Sequence, residues 1–466
     1  MQNRVVRLKP RASSFSEAES DFYAGRFDEC LTALNGHTGP QAQALLVRTL
    51  TRLGRADAAL QACEKIERSL PDLRRGELHL LKAMAFLRLG RPEDAEEHLV
   101  EARVAAYSSC SPEFEADYEL GEANLRFTAR DFQAASAALE RCLSVAPPVQ
   151  PWLKQGQQYF LPLGLVRARG YDLRGLLARP KDGIAAQLHW ARLGLCELDA
   201  QDQKDQWLNA ALLSNFSGLA LEVGEPEFID EIARRGASAK WTSSTELQRF
   251  NVVRSLGWLR ALSGDHIGAL REFRRSAELA PSPAWKIESV LDRSFLAREL
   301  DQEIFADDEL DYAFELASGV EPSAAPDPAP AFMALVKLAE LAAKRDANEG
   351  RAVLDRYRSA RSKCPAIYFD GMDRGWQAKE LVAEGTVARA EGRQQTAIDL
   401  FVNAFDAYDK LGSRWRAALV ALDLAEMTEQ PFFYGYAARE AHRRPNSWLA
   451  RRLAALSAKQ PELVLG

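Results

Sequence analysis

The residues able to do acid–base, nucleophilic or metal chemistry are scattered along the chain. The six histidines (His37, His79, His98, His189, His266, His442) include no i,i+4 pair, and no His or Cys group has zinc spacing. No P-loop is present, no G-x-G-x-x-G after a strand, no H-E-x-x-H and no G-x-S-x-G. Asp307, Asp308, Glu309 and Asp311 gather carboxylates without EF-hand spacing, the pattern of a solvated helix face. The six cysteines form no C-x-x-C pair, and Cys30, Cys63 and Cys142 fall at apolar positions where a thiol behaves as a small hydrophobe. The expectation is therefore no enzyme, no cofactor and no metal. What remains is recognition chemistry, in which guanidinium, amide and indole groups grip carboxylates and peptide backbone.

Such groups need elements to hold them, and those elements repeat. The clearest copy is GWLRALSGDHIGALREFRRSAELAP, from Gly257 to Pro281. One helix ends at Ser263-Gly264, where glycine tolerates the left-handed conformation of a helix C-terminus. A second carries Ile267, Leu270, Phe273 and Ala277 on one stripe and stops before Pro281. Further copies turn at Gly25, Gly54, Gly90 and Gly392, and a fourth N-terminal copy puts Arg130 where the glycine stands elsewhere. Ala59 and Pro71 keep the offset of Ala269 and Pro281. Strand signals are almost absent, so the chain reads as all-α.

This pattern resembles the tetratricopeptide repeat, a helix–turn–helix unit of about 34 residues that cannot bury its apolar face alone and so stacks. The resemblance implies an α-solenoid of stacked antiparallel helix pairs, of a divergent bacterial type. It covers roughly residues 15–147, 245–281 and 377–427. It also implies that the first helix of each pair lines an inner surface, so a ligand-facing row follows by counting back from each turn. That row holds Gln41, Arg48 and Arg52, then Glu77 and Arg88, then Asp117 and Asn124. It continues with Asn251, Arg254 and Trp258, and ends with Lys379 and Arg389. The candidate partner-binding residues are Arg48, Arg52, Arg88, Asn124, Asn251, Arg254, Trp258, Lys379 and Arg389. Arg254 and Trp258 stand one turn apart, so a carboxylate and an apolar anchor could be gripped together.

The organisation expected is a basic tail (1–14), N-terminal repeats (15–149), an irregular helical region with one clear repeat at 245–281 (150–317), a Pro/Ala-rich linker (318–330) and a C-terminal helical block (331–466). Gly164, Gly170 and Gly175 make the stretch after 150 read as a poor helix. The net charge of −6 argues against general nucleic-acid binding, and no apolar run approaches the ~20 residues of a membrane span. A C-terminal basic run (Arg439, His442, Arg443, Arg444, Arg451, Arg452, Lys459) reads as the polar outer face of a capping helix. The function expected is that of a cytoplasmic scaffold, adaptor or regulatory module binding a protein or peptide segment, acidic in character, in an inner groove. The alternatives are a transcription-associated regulator contacting nucleic acid through basic termini, and a helical-repeat enzyme or small-molecule sensor.

Overall fold

A computed structural model describes residues 14–67, 72–109, 111–146, 161–201, 205–322, 328–364 and 374–461. Among them there is no β-strand. The helices fall into two compact units, one formed by residues 1–181, 189–212 and 240–245, the other by 182–188, 213–239 and 246–466.

In the first unit, α1 (Phe15–Tyr23) packs on α2 (Phe27–Leu34), α3 (Pro40–Arg52) on α4 (Ala56–Glu67), α5 (Asp72–Arg88) on α6 (Pro92–Ser108) and α7 (Pro112–Thr128) on α8 (Phe132–Ser144). Each first helix also touches the first helix of the next pair, α1 against α3, α3 against α5 and α5 against α7. The sequence dictates the helix starts locally. Ser14 and Glu17 close a capping box on α1, and Pro40, Pro92 and Pro112 open their helices where a missing N–H costs nothing. Most of α9 (Leu163–Asp199) and the start of α10 (Gln206–Val223) complete the unit.

The second unit continues through α11 (Ile229–Ser238) into further pairs: α12 (Glu246–Ser263) with α13 (His266–Leu279), α14 (Pro283–Glu299) with α15 (Glu303–Ser318), and α16 (Ala329–Arg345) with α17 (Ala347–Lys363). Then come α18 (Arg374–Ala390) with α19 (Gln394–Leu411), α20 (Arg414–Thr428) with α21 (Pro431–Arg443), and α22 (Trp448–Lys459). Its middle is aromatic. Trp258 lies 5.3 Å from Phe273, 5.5 Å from Phe295 and 5.6 Å from Trp415, ring centre to ring centre.

Most turns inside the pairs share one conformation, the exception among the described pairs being Asp346 between α16 and α17. Gly25, Gly54, Gly90, Gly264 and Gly392 all have positive φ, and so does Arg130, at 62°. Asp301 (φ 59°) does the same between α14 and α15, a pair whose turn has no glycine to announce it. Gly264 is the most constrained, because a Cβ there would sit 2.5 Å from the Asn446 carbonyl oxygen.

The contacts divide the chain into two units between residues 181 and 246. Residues 323–327 of the Ser318–Pro330 stretch lie outside the described residues. Its start is tied down, since Arg356 donates to the carbonyls of Ala317 and Val320 at 2.9 and 2.6 Å. The glycine-rich stretch is helical: Gly164, Gly170 and Gly175 lie inside α9, which is interrupted only at Gly183 (φ 81°). Gly170 serves close packing there, with Leu143 3.0 Å from where its Cβ would be. In that setting, contact outweighs the modest helix propensity glycine gives up.

An L-residue in the left-handed region costs roughly 1–2 kcal/mol. Arg130→Gly is therefore expected to raise the denaturation midpoint by about 0.5 kcal/mol, after the glycine's extra unfolded-state entropy is subtracted. Gly264→Ala should lose roughly 2 kcal/mol through strain and the Asn446 clash. Urea melts of the two variants against the parent chain check both signs.

Candidate functional site

The first helices of the first unit enclose a cavity of about 280 Å³. Its wall is apolar where α5 and α7 supply Leu81, Met84 and Leu120, and where α9 and α10 add Leu173, Leu176, Leu208 and Leu212. Four arginines, Arg48, Arg52, Arg88 and Arg169, face it against two aspartates, Asp117 and Asp172. Asn124 and Trp207 complete the polar and aromatic part. Every lining residue belongs to the first unit.

Two of these arginines are fixed from behind. Arg48 Nη2 donates to Asp117 at 3.0 Å, and Arg52 Nη2 to Asp205 at 2.9 Å. The Arg52 guanidinium also lies 4.2 Å over the Trp207 ring, a cation–π contact in a largely desolvated place. Even so, Arg48 Nε and Arg52 Nη1 are buried donors without an acceptor. Among the described residues Arg88 has no ion-pair partner. Its side chain is exposed at the cavity, yet partial desolvation, and then the charge of Arg52, hold its ionisation below the usual arginine range. Asn124 donates to Leu120 O at 2.7 Å, which leaves its amide oxygen to the cavity. The arrangement can neutralise a carboxylate, pair with a peptide group and bury one or two apolar side chains.

The other five sequence-derived residues lie in the second unit, and there the two arginines are already matched. Arg254 Nε donates to Asp292 and its Nη2 to Glu288, both at 2.5 Å. Lys337 closes on the other oxygen of Asp292. Burial works against the Arg254 charge, but Asp292 and then Glu288 outweigh it and hold the guanidinium protonated. Burial would likewise raise the Asp292 carboxyl, and Arg254 and Lys337 reverse that and hold it below the usual carboxylate range. Trp258 is 7% exposed and belongs to the aromatic core, so it offers no free apolar anchor. Asn251 donates to Ser214 at 3.3 Å, and Arg389 is bound to Asp423 and Glu426 at 3.4 and 2.8 Å. Enclosure, then the positive charge of Arg416, lower the Lys379 amine, with Glu288 and Glu222 opposing. Hence Arg48, Arg52, Arg88 and Asn124 come together in one cavity, while Asn251, Arg254, Trp258 and Arg389 are engaged within their own unit.

The C-terminal basic residues are engaged too. Arg444 donates to Gly224 O and to Glu440, Arg452 to Asp423, Arg443 to Glu440 and Arg451 to Asp301. Of the acidic cluster, Asp307 pairs with Arg298, Glu309 with Arg293 and Asp311 with Arg345. Cys30, Cys63 and Cys142 are fully buried, and burial pushes their thiols up to about 11, 12 and 12. Cys110 lies outside the described residues. Among the described residues, no group of three or more His, Cys, Asp or Glu is placed to hold a metal ion, and no helix is long and apolar enough to cross a membrane.

Sequence reasoning missed a histidine pair. His79 on α5 and His98 on α6 meet with their Nδ1 atoms 2.9 Å apart, and Phe86 stacks on His98. One ring must donate and the other accept, so the accepting ring is neutral. Burial, then the neighbouring His79, lower His98 to about 4.

No protein-family model matches the chain, and no curated protein matches it. Among solved structures it is similar to a Rap protein complexed with competence and sporulation factor, at 14% identity and a TM-score of 0.48, covering 83% of this chain and 99% of that one. It is also similar to the apo form of RapI, at 16% identity and a TM-score of 0.47, covering 84% and 98%. A third is the apo form of the quorum sensor NprR from B. thuringiensis, at 13% identity and a TM-score of 0.40, covering 86% and 97%. The helix pairs and their left-handed turn residues define the class. The described helices form a tetratricopeptide-like helical-repeat fold.

Two outcomes follow from the charges. Removing one partner of a buried ion pair strands the other, at a cost of roughly 3–5 kcal/mol. Arg254→Met should therefore destabilise the protein by about 3 kcal/mol in urea melts, with Asp292 left to Lys337 alone. The histidine pair loses stability as pH falls, as a carboxylate held at a lowered pKa does. Its folded value lies below the unfolded value of about 6.5, so the unfolded chain takes up the proton first as pH falls. Stability from this pair is full above pH 6.5 and is lost towards about 4. Melting temperatures measured between pH 7 and pH 5 should fall, and His98→Asn should flatten that slope.

Proposed function

We propose that this protein is a non-enzymatic regulatory or adaptor module that binds a peptide or a protein segment in the cavity of its first unit. The ligand carries a carboxylate, from an acidic side chain or a free C-terminus. One observation carries the reading: Arg48, Arg52, Arg88 and Asn124 line a single apolar-walled cavity in which arginines outnumber aspartates. Arg88 supplies the charge that is not matched from within, Asn124 a backbone contact, and the leucines and Met84 an apolar seat. Burying a carboxylate there relieves the like-charge proximity of Arg52 and Arg88, so binding and charge neutralisation act together. The second unit's inner arginines, Arg254 and Arg389, are paired with acids of their own unit, which favours the first unit as the site. The same pairing among the C-terminal arginines favours a capping role over nucleic-acid contact. A cytoplasmic setting fits the buried, unpaired thiols of Cys30, Cys63 and Cys142.

The test uses two labelled pools of random decapeptides with free C-termini, one rich in Asp and Glu, the other in Lys and Arg. The full chain should retain the acidic pool preferentially. Arg88→Glu should weaken that retention at least tenfold while the melting temperature stays put, since Arg88 has no structural partner to lose. Equal retention of both pools, or retention unchanged by Arg88→Glu, would sink the proposal.

A further inference from the structure

The outer helix of the third pair turns an apolar stripe to solvent. Along α6, Ala95, Leu99, Ala102 and Ala106 are buried against the neighbouring helices. On the opposite side Val100, Val104 and Tyr107 are 61%, 75% and 47% exposed. Their spacing of four and three residues puts them on one line along the helix. Among the described residues, no other helix exposes three large hydrophobic side chains. Two exposed valines do nothing for the helix itself, because β-branched residues lose rotamer freedom there and leucine, lysine or glutamate would serve better. Their presence on a solvated face needs another cause.

The charges beside the stripe indicate what covers it. Glu93, Glu97 and Glu101 are exposed along the same helix, and the only basic residue within it is Arg103. The other two acidic residues of the helix are occupied, Asp94 by Arg91 at 2.7 Å and Glu96 by Arg126 at 3.0 Å. A second copy of this face would set glutamates against glutamates. An anionic lipid surface would be repelled for the same reason. We infer that the outer face of α6 is a docking surface for a cationic amphipathic helix of another protein, its leucine-type ridge laid along Val100, Val104 and Tyr107 and its lysines or arginines paired with Glu97 and Glu101. The stripe is short, so the acidic flank must contribute to affinity, and binding should weaken with salt. The cavity is lined by α5 and α7 rather than α6, so this surface and the ligand site work independently.

The probe is an 18-residue amphipathic helix of leucine and lysine, labelled for anisotropy, with a leucine–glutamate helix as control. The full-length protein should bind the first and not the second. Val104→Asp should weaken binding at least tenfold with helicity and melting temperature unchanged, and Glu97→Lys combined with Glu101→Lys should do the same. Arg88→Gln, which alters the cavity, should leave this affinity unchanged, so failure here is separable from failure of the cavity reading. Absence of binding, or equal binding by the Val104→Asp variant, overturns the inference. So does sedimentation showing a self-associated parent chain that Val104→Asp makes monomeric, because the occupant would then be a second copy.

Discussion

Apart from α16–α17, which turns at the extended Asp346, each helix pair here depends on one backbone residue held in the left-handed region. That residue reverses the chain in two or three positions and sets the second helix back against the first, so that small residues such as Ala59, Ala95, Ala135 and Ala269 are fully buried at the contact. Glycine reaches that conformation without cost; Arg130 and Asp301 reach it with strain, which the packing on both sides must outweigh. Once the turns are fixed, first helices lie beside first helices. The residues on their inner faces then either pair with one another or wait for a ligand.

The two units resolve that choice differently. In the second, an acid one repeat further on faces each inner arginine. Arg254 meets Glu288 and Asp292, 34 and 38 residues later, and Arg389 meets Asp423 and Glu426, 34 and 37 later. The Arg254 pairs are largely enclosed, so they specify how neighbouring helices stack more than they add stability. In the first unit the corresponding arginines are only partly answered. Arg48 reaches Asp117, two pairs on, and Arg52 reaches Asp205, but Arg88, exposed at the cavity, meets no acid among the described residues. A cavity with surplus positive charge is a place for an anion. A zipped wall is not.

Much of this was legible in the sequence. The turn glycines at 25, 54, 90, 264 and 392 announced their helix pairs because almost nothing else fits there, and Arg130 was placed by its spacing. The pairs around Asp301 and Asp346 read as helices but not as repeats, since neither turn carries a glycine. Glycines inside α9 were misread as breakers: a glycine that lets Leu143 approach at 3.0 Å looks the same in sequence as one that ends a helix. The ligand-facing row was read as a single surface, and the structure divides it. What counting could not show is which arginines already have partners. The signal was nonetheless present, as an acidic residue about one repeat length after Arg254 and after Arg389. Trp258 was taken for an anchor because its register faces inward, but Phe273, Phe295 and Trp415 fill the space in front of it.

The central claim is that ligand binding belongs to the first unit's cavity and not to the inner face of the second. Hydrogen exchange of the full chain, followed by mass spectrometry with and without a peptide selected from the acidic pool, addresses it directly. Slower exchange in the segments around 81–88 and 120–124, with those around 251–258 and 379–389 unchanged, is the result the account predicts. Protection confined to 251–258 and 379–389 would contradict it, because the ligand would then have displaced carboxylates that here hold Arg254 and Arg389.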